Sequence, residues 1–186
     1  ITQPILCFGG VNGQLQAVAS GGTGTLSYVW NDPTSQTTPD LQNLPTGQYT
    51  VTVSDLNGCT ETATIDLPQP TELLANSSAQ DVLCNGGTSG ELTATATGGT
   101  MPYQFAWTGG LAGSNPTNIA QGMYTVTVTD GNGCTQTSTA VVAEPTLLTG
   151  STAATDATCF GSATASATVS ATGGTFPYTY LWNDPS

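Results

Sequence analysis

The stretch Tyr49–Thr60 reads YTVTVSDLNGCT and returns almost unchanged at 124–135 as YTVTVTDGNGCT, with ten of twelve positions identical. In both copies Tyr and Val alternate with Thr, which is the period-two pattern of a half-buried β-strand. The Asp-x-Asn-Gly step that follows favours the positive φ angles of a tight turn. The stretch therefore predicts a strand that ends in a hairpin, used twice in one chain.

Other landmarks recur with the same period. Tryptophans stand 77 and 75 residues apart, and each follows a cysteine by 23 residues: Trp30, Trp107 and Trp182. A repeat of about 75 residues is one small domain used in tandem. We expect 1–70 to be a first repeat without its opening segment, 71–145 to be a complete second repeat, and 146–186 to be the first half of a third. On this interpretation the chain is a window on a longer array.

Alternating apolar residues also flank each Gly-Gly pair, and no segment shows a sustained helical period. Each repeat therefore offers six or seven short strands separated by turn residues. An immunoglobulin-like sandwich of two antiparallel sheets buries such strands economically, so an all-β fold is predicted. The aromatic residues share strand faces with Val and are expected in the cores: Trp30, Trp107, Trp182, Tyr49 and Tyr124. The alternative is that aromatic rings stack on sugars at the surface.

The five cysteines suggest a covalent staple for each repeat. A domain of about 75 residues buries only about 60% of the surface that its unfolded chain exposes. We expect Cys7–Cys59 and Cys84–Cys134 bonds, each closing a loop worth on the order of 4 kcal/mol in the chain-entropy model, with the partner of Cys159 outside the chain. One bond per repeat implies an oxidising compartment. Buried free thiols are the alternative, and a zinc site is disfavoured because the chain has no histidine.

The charge balance excludes several function classes. The chain has twelve Asp and Glu but no Lys, Arg or His, which gives a formal net charge of -12. Such a chain cannot make the cationic phosphate contacts that nucleic acids need, and anionic lipid head groups repel it. No apolar run approaches the roughly 20 residues of a membrane span. Because His-assisted nucleophiles are missing and no acidic pair suggests a cleft, we expect no enzymatic activity.

Three motifs recur along the chain: Cys-x-Gly-Gly, Gly-Gly-Thr-x-Pro-Tyr-x-x-x-Trp at 98–107 and 173–182, and Gly-x-Tyr-Thr-Val-Thr-Val-x-Asp-x-Asn-Gly-Cys at 47–59 and 122–134. In combination they resemble the SprB-type repeat. SprB-type repeats are tandem modules of giant cell-surface adhesins of gliding bacteria. The resemblance implies type IX secretion, display in an extracellular filament, and adhesion to surfaces during gliding. The first repeat departs from the pattern at Gly24-Thr25-Leu26, where the other repeats have Pro-Tyr.

Two kinds of candidate site remain. Oxygen atoms in the acidic turns could bind calcium, which prefers carboxylate and carbonyl ligands, at Asp55, Asn57, Asp130 and Asn132. The alternative is a hairpin in which the Asp side chain bonds the turn backbone; apart from this calcium no cofactor is expected. Asn76 begins the one N-x-S/T sequon without proline and is a candidate glycan site.

These observations favour a structural and adhesive segment of an extracellular, surface-attached filament. Its partners would be neighbouring repeats of the same chain or fibre, together with a surface polysaccharide or the substratum. The alternatives are an array of carbohydrate-binding modules and a self-assembling fibre that has no separate ligand.

Overall fold

The computed structural model describes residues 1–183, and within them β-strands dominate. The strands are β1 Gly13–Gln16, β2 Ser27–Trp30, β3 Asp40–Leu44, β4 Gly47–Ser54, β5 Thr60–Leu67, β6 Leu74–Gln80, β7 Gly90–Thr97, β8 Gln104–Trp107, β9 Thr117–Ile119, β10 Gly122–Thr129, β11 Thr135–Val142, β12 Thr149–Thr155 and β13 Ser166–Thr172. A short 3-10 turn, Thr108–Gly110, is the single helical element among the described residues. The predicted all-β class is confirmed.

The repeated stretch forms β4 and β10, each followed by a tight turn. Along β10 the valines Val126 and Val128 are fully buried, while the threonines that alternate with them are half-buried. Positive φ angles fall on the glycine of each Asn-Gly step, 82° at Gly58 and 85° at Gly133. Glycine adopts this conformation without a Cβ penalty, so the chain can reverse and return as β5 or β11.

The chain divides into two compact units, of which the first comprises residues 1–75, 96–104 and 127–136. It contains the antiparallel pair β1-β3 and the three-stranded sheet β2-β4-β5. Strands β4 and β5 pair over eight positions, from Gly47↔Leu67 to Ser54↔Thr60. Both sheets contribute to one core, which consists of Ile5, Leu15, Trp30, Leu41, Leu44, Tyr49, Val51 and Leu67. Two antiparallel sheets that share a core are a β-sandwich.

The second unit comprises residues 76–95, 105–126 and 137–186, of which the last three are not described. It contains the three-stranded sheet β6-β7-β9 and the antiparallel pair β12-β13. Strand β7 begins opposite the end of β9, at Gly90↔Ile119. Strands β12 and β13 pair from Thr149↔Thr172 to Thr155↔Ser166.

A further three-stranded sheet has the order β11-β10-β8. Strands β7 to β11 therefore repeat the order of β1 to β5, and β6 adds one strand beside β7. This arrangement of antiparallel strands in two facing sheets is the immunoglobulin-like sandwich that the alternation predicts.

The aromatic positions differ in burial. Trp30 and Trp107 are 3% and 4% exposed, and Tyr49 is 7% exposed. Tyr124 is half-buried and donates its hydroxyl to the Ala120 carbonyl. Trp182 is 52% exposed, which corrects the expectation that it lies in a core. The reason is that residues 146–183 form only the pair β12-β13, and all of β12 is exposed, so no facing sheet covers the ring.

Candidate functional site

The prediction of Cys7–Cys59 and Cys84–Cys134 bonds is wrong. The two cysteines of each pair lie at opposite ends of their β-sandwich. Cys7 precedes β1, whose first residue Gly13 pairs with Leu44, next to the start of β4. Cys59 follows the other end of β4. Eight residues of strand span about 26 Å, whereas the Cα atoms of a disulfide lie about 4.4–6.8 Å apart.

The same geometry separates the cysteines of the second repeat. Cys84 precedes β7, which begins beside the end of β9 and thus beside the start of β10. Cys134 follows the far end of β10, eight residues of strand away. A bond within either repeat would require the sandwich to collapse along its long axis.

Cys7 is instead bonded to Cys134, with a Cα–Cα distance of 5.8 Å and a sequence separation of 127 residues. The bond joins the start of the first predicted repeat to the last turn of the second. Around it, the Asn132 side chain donates hydrogen bonds to the Leu6 carbonyl oxygen at 2.8 Å and to the Thr100 hydroxyl at 3.0 Å. Cys59, Cys84 and Cys159 are exposed free thiols. The disulfide therefore links consecutive repeats and does not staple one of them.

An acidic turn holds Cys134 in position. The Asp130 side chain is 5% exposed, and its Oδ1 accepts hydrogen bonds from the backbone N–H of Asn132 at 2.9 Å and of Cys134 at 2.8 Å. Its Oδ2 accepts from the Thr100 N–H at 2.9 Å. Burial raises the pKa of Asp130, but the backbone hydrogen bonds outweigh it and leave the pKa below the usual value. The charged carboxylate thus ties the turn to the Gly-Gly-Thr loop and to the bonded cysteine.

Asp55 makes the equivalent contacts in the first repeat. Its carboxylate accepts hydrogen bonds from the backbone N–H of Asn57 at 2.9 Å, Cys59 at 2.8 Å and Thr23 at 3.0 Å. The bonds from Cys59 and Thr23 are the main causes that lower the pKa of Asp55. Two turns with one hydrogen-bond pattern indicate that the Asp-x-Asn-Gly-Cys sequence specifies the turn by itself.

The calcium candidates Asp55, Asn57, Asp130 and Asn132 occupy these two turns. The carboxylates of Asp55 and Asp130 accept hydrogen bonds from backbone N–H groups, which is the geometry of the hairpin alternative. Within residues 1–183, no three His, Cys, Asp or Glu side chains cluster in a way that could hold a metal ion. Calcium binding stays a prediction, for which the turn carbonyls would have to supply most of the ligands.

Asn76, the candidate glycan site, lies on an exposed face of β6. Glycosylation there stays a prediction. Sequence reasoning missed two features of the molecule: the hydrogen bond from the Asn132 side chain to the Leu6 carbonyl, and an open groove of about 610 Å³ in the first unit. The groove lies between β5 and the extended segment 16–22.

Comparison with solved structures finds immunoglobulin-domain proteins. The amphioxus IgVJ-C2 molecule matches with 17% identity and a TM-score of 0.33, over 72% of this chain and 96% of that one. A structure concerning Dscam isoform specificity matches with 16% identity and a TM-score of 0.32, over 75% of this chain and 42% of that one. The chain thus spans less than half the length of that Dscam structure. Comparison with curated proteins found no match.

By its strand order and its cross-linked cysteines, the protein is a tandem array of immunoglobulin-like β-sandwich repeats. The SprB-repeat family model matches it three times, at residues 1–35, 76–112 and 151–186. The chain belongs to the SprB-repeat family. SprB repeats occur in cell-surface proteins and are typical of structural and adhesion domains. Across residues 1–183 no helix is long and apolar enough to cross a membrane.

Proposed function

We propose that this chain is a structural and adhesive segment of an extracellular bacterial surface filament. The Cys7–Cys134 bond carries the proposal, because it makes a covalent connection between consecutive repeats. A surface filament must transmit tension along its length. A chain whose neighbouring repeats are bonded can transmit tension without relying on the stability of either sandwich.

The disulfide defines a short path for load. Tension that enters before Cys7 passes through the two sulfur atoms and leaves after Cys134. Both sheets of the first unit, and most of the second repeat, lie inside the bypassed segment. These strands can then hold binding surfaces in shape while the filament is stretched.

Further repeats can be linked by the same kind of disulfide, because their cysteines occupy positions equivalent to Cys7. Cys84 and Cys159 begin the same turn as Cys7, in which the cysteine carbonyl accepts a hydrogen bond from the N–H three residues later, at 2.9 to 3.1 Å. Each would bond the second cysteine of the repeat that follows it. Each bond forms when two thiols lose two protons and two electrons to an oxidant, such as a disulfide of the exporting compartment.

The surface chemistry suits adhesion and not catalysis. The chain has a net charge of -12, and its strands expose many Thr and Ser hydroxyls that can bond polysaccharide or a hydrated substratum. The ring of Trp30 donates its Nε1–H to the Thr38 carbonyl from inside a core, so it is not free to stack on sugars. We propose no enzymatic role, and we propose gliding-associated attachment as the process that the segment serves.

Two measurements test the proposal. Antibodies raised against residues 1–186 should label the outside of intact producing cells as extended filaments, and the soluble chain or those antibodies should reduce attachment of the cells to glass or polysaccharide. A signal that appears only after lysis, or attachment unchanged at saturating antibody, would contradict the proposal.

A further inference from the structure

The linker between the first and second repeats is held at both of its ends. On one side, Oε1 of Gln69 accepts a hydrogen bond of 2.7 Å from the N–H of Gly9, which lies in the turn of the first cysteine. On the other side, the Thr71 carbonyl accepts a hydrogen bond of 2.9 Å from the Gly99 N–H of the second repeat. Only Pro70 lies between the two contacts, and proline fixes its own φ and restricts the residue before it. The linker therefore has little freedom to bend.

The linker between the second and third repeats makes the same two contacts. Oε2 of Glu144 accepts a hydrogen bond of 2.7 Å from the Gly86 N–H, and the Thr146 carbonyl accepts one of 2.7 Å from the Gly174 N–H. Here too a single proline separates the two contacts. The cysteine of this turn, Cys84, is a free thiol. The contacts of the linker therefore form without a disulfide in that turn.

The contact with the following repeat depends on a glycine in both linkers. A β-carbon placed on Gly98 would overlap the Glu72 carbonyl, and one placed on Gly173 would overlap the Leu147 carbonyl. Any side chain at these positions would push the linker away from the loop that it contacts. The Gly-Gly pair thus allows the linker backbone to dock closely on the repeat that follows.

From the glycine pair, hydrogen bonds continue to the second cysteine. The Thr100 N–H donates to Oδ2 of Asp130 at 2.9 Å, and Oδ1 of the same carboxylate accepts from the Cys134 N–H at 2.8 Å. The Asn132 side chain donates to the carbonyl of Leu6, the residue before the first cysteine, at 2.8 Å. A continuous path of contacts thus leads from the first cysteine turn through the linker to the second cysteine. All residues on this path belong to the first compact unit.

We propose that the linker docks consecutive repeats while their cysteines are still thiols, and that it thereby selects Cys7 and Cys134 as partners. Gln69 is then a positioning residue, because its carboxamide does not bond to either sulfur but orients the turn that carries Cys7. One cysteine thiolate attacks glutathione disulfide and releases one glutathione thiol. The other thiolate attacks the mixed disulfide and releases the second, so two protein thiols are oxidised and one glutathione disulfide is reduced. Docking raises the effective concentration of one protein thiol at the other.

The assay is oxidation of the reduced 186-residue chain in buffers with different ratios of reduced to oxidised glutathione. Quenching, alkylation and peptide mapping with an Asp-directed protease identify the bonds, and the fraction bonded at each ratio gives the effective concentration. We expect Cys7–Cys134 to be the main bond. Gln69→Ala should lower its effective concentration about two- to tenfold, because the hydrogen bond to the Gly9 N–H is lost. Pro70→Gly should lower it about two- to fivefold, because the linker gains freedom.

Two control variants separate docking from folding. Gln69→Glu introduces the residue that makes the same contact at position 144, and it should keep the effective concentration within about twofold of the unaltered chain. Gln16→Ala is the matched control, because this side chain also makes one hydrogen bond, to Asp40, but it joins β1 to β3. It should leave the effective concentration unchanged. All variants should retain the circular dichroism spectrum of the reduced, unaltered chain.

Amide exchange on the reduced chain gives a second measurement that needs no substitution. The N–H groups of Gly9 and Gly99 should remain protected after reduction, since the linker and not the disulfide holds them. Loss of protection at both would overturn the proposal. Equal effective concentrations in Gln69→Ala and Gln16→Ala would also overturn it, and so would an equal loss in Gln69→Ala and Gln69→Glu. These measurements report on bond formation and docking, so their outcome does not depend on the adhesive function proposed above.

Discussion

Reducing the Cys7–Cys134 bond should lengthen the fully stretched chain by a fixed amount. The bond holds residues 127 apart in sequence at a Cα–Cα distance of 5.8 Å. An extended chain spans about 3.3–3.6 Å per residue. Reduction of the bond, or Cys7→Ser, should therefore increase the contour length of the stretched chain by about 420–460 Å. The bond also closes a long loop in the unfolded chain, which the chain-entropy model values at about 5 kcal/mol.

Force spectroscopy on a chain tethered at its two ends measures this length directly. In the oxidised chain, only the segments before Cys7 and after Cys134 can extend. Cys59→Ser is the control and should leave the length unchanged, because Cys59 is unbonded. Equal lengths before and after reduction would refute the reasoning. A gain of about 180 Å would indicate one bond within a repeat, such as Cys7–Cys59.

Four further predictions concern the turns and the free thiols. Folding lowers the pKa of both Asp130 and Asp55, so each charged carboxylate raises the free energy of unfolding. This contribution is complete above about pH 4, and it is lost as the pH falls through the pKa that each carboxyl has in the folded state. Denaturant titrations at pH 7 and pH 2.5 should show this loss, and stability that is independent of pH in this window would exclude it. Asp130→Ala leaves three backbone N–H donors without their acceptor and should cost about 2–4 kcal/mol, whereas the exposed Asp156→Ala should change the melting temperature little. The hydrogen-bonded turns predict that chelation leaves melting unchanged, and a drop of several degrees on adding EDTA would instead support calcium in the turns. If residues 108–145 are appended after Trp182 to complete the third repeat, peptide mapping of the chain oxidised with glutathione disulfide should find Cys84 bonded to the added cysteine. A Cys84 that stays free would argue against a continuous series of linked repeats.

Much of the fold follows from local patterns. The alternation of Tyr and Val with Thr predicts β4 and β10, and the Asn-Gly steps predict the turns in which Gly58 and Gly133 take positive φ. The core of the first unit draws on residues that the period-two pattern marks as inward, such as Leu15 and Val51. Such patterns can be recognised in a sequence because the side chains of a strand alternate between two faces with a period of two residues. A tight turn likewise requires particular residues.

The pairing of the cysteines could not be predicted from such local patterns. Four strands separate Cys7 from Cys59, and a chain of simple hairpins would bring them to the same end. Instead residues 31–39 turn back along β2, where the Trp30 N–H donates to the Gln36 carbonyl at 3.0 Å. Because this segment crosses the sandwich once more, Cys59 lies at the opposite end of the sandwich from Cys7. A sequence does not reveal such a crossing, because it depends on which sheet the next strand joins.

The sequence by itself determined the repeat, the strands, the turns and the absence of any cation, because each is a matter of residue identity or local period. Only the tertiary structure decided that Cys7 pairs with Cys134 and that Trp182 is exposed. These depend on which ends of distant strands meet and on which sheet covers a residue. Contacts of that kind are made between elements far apart in the chain, and no local pattern encodes them.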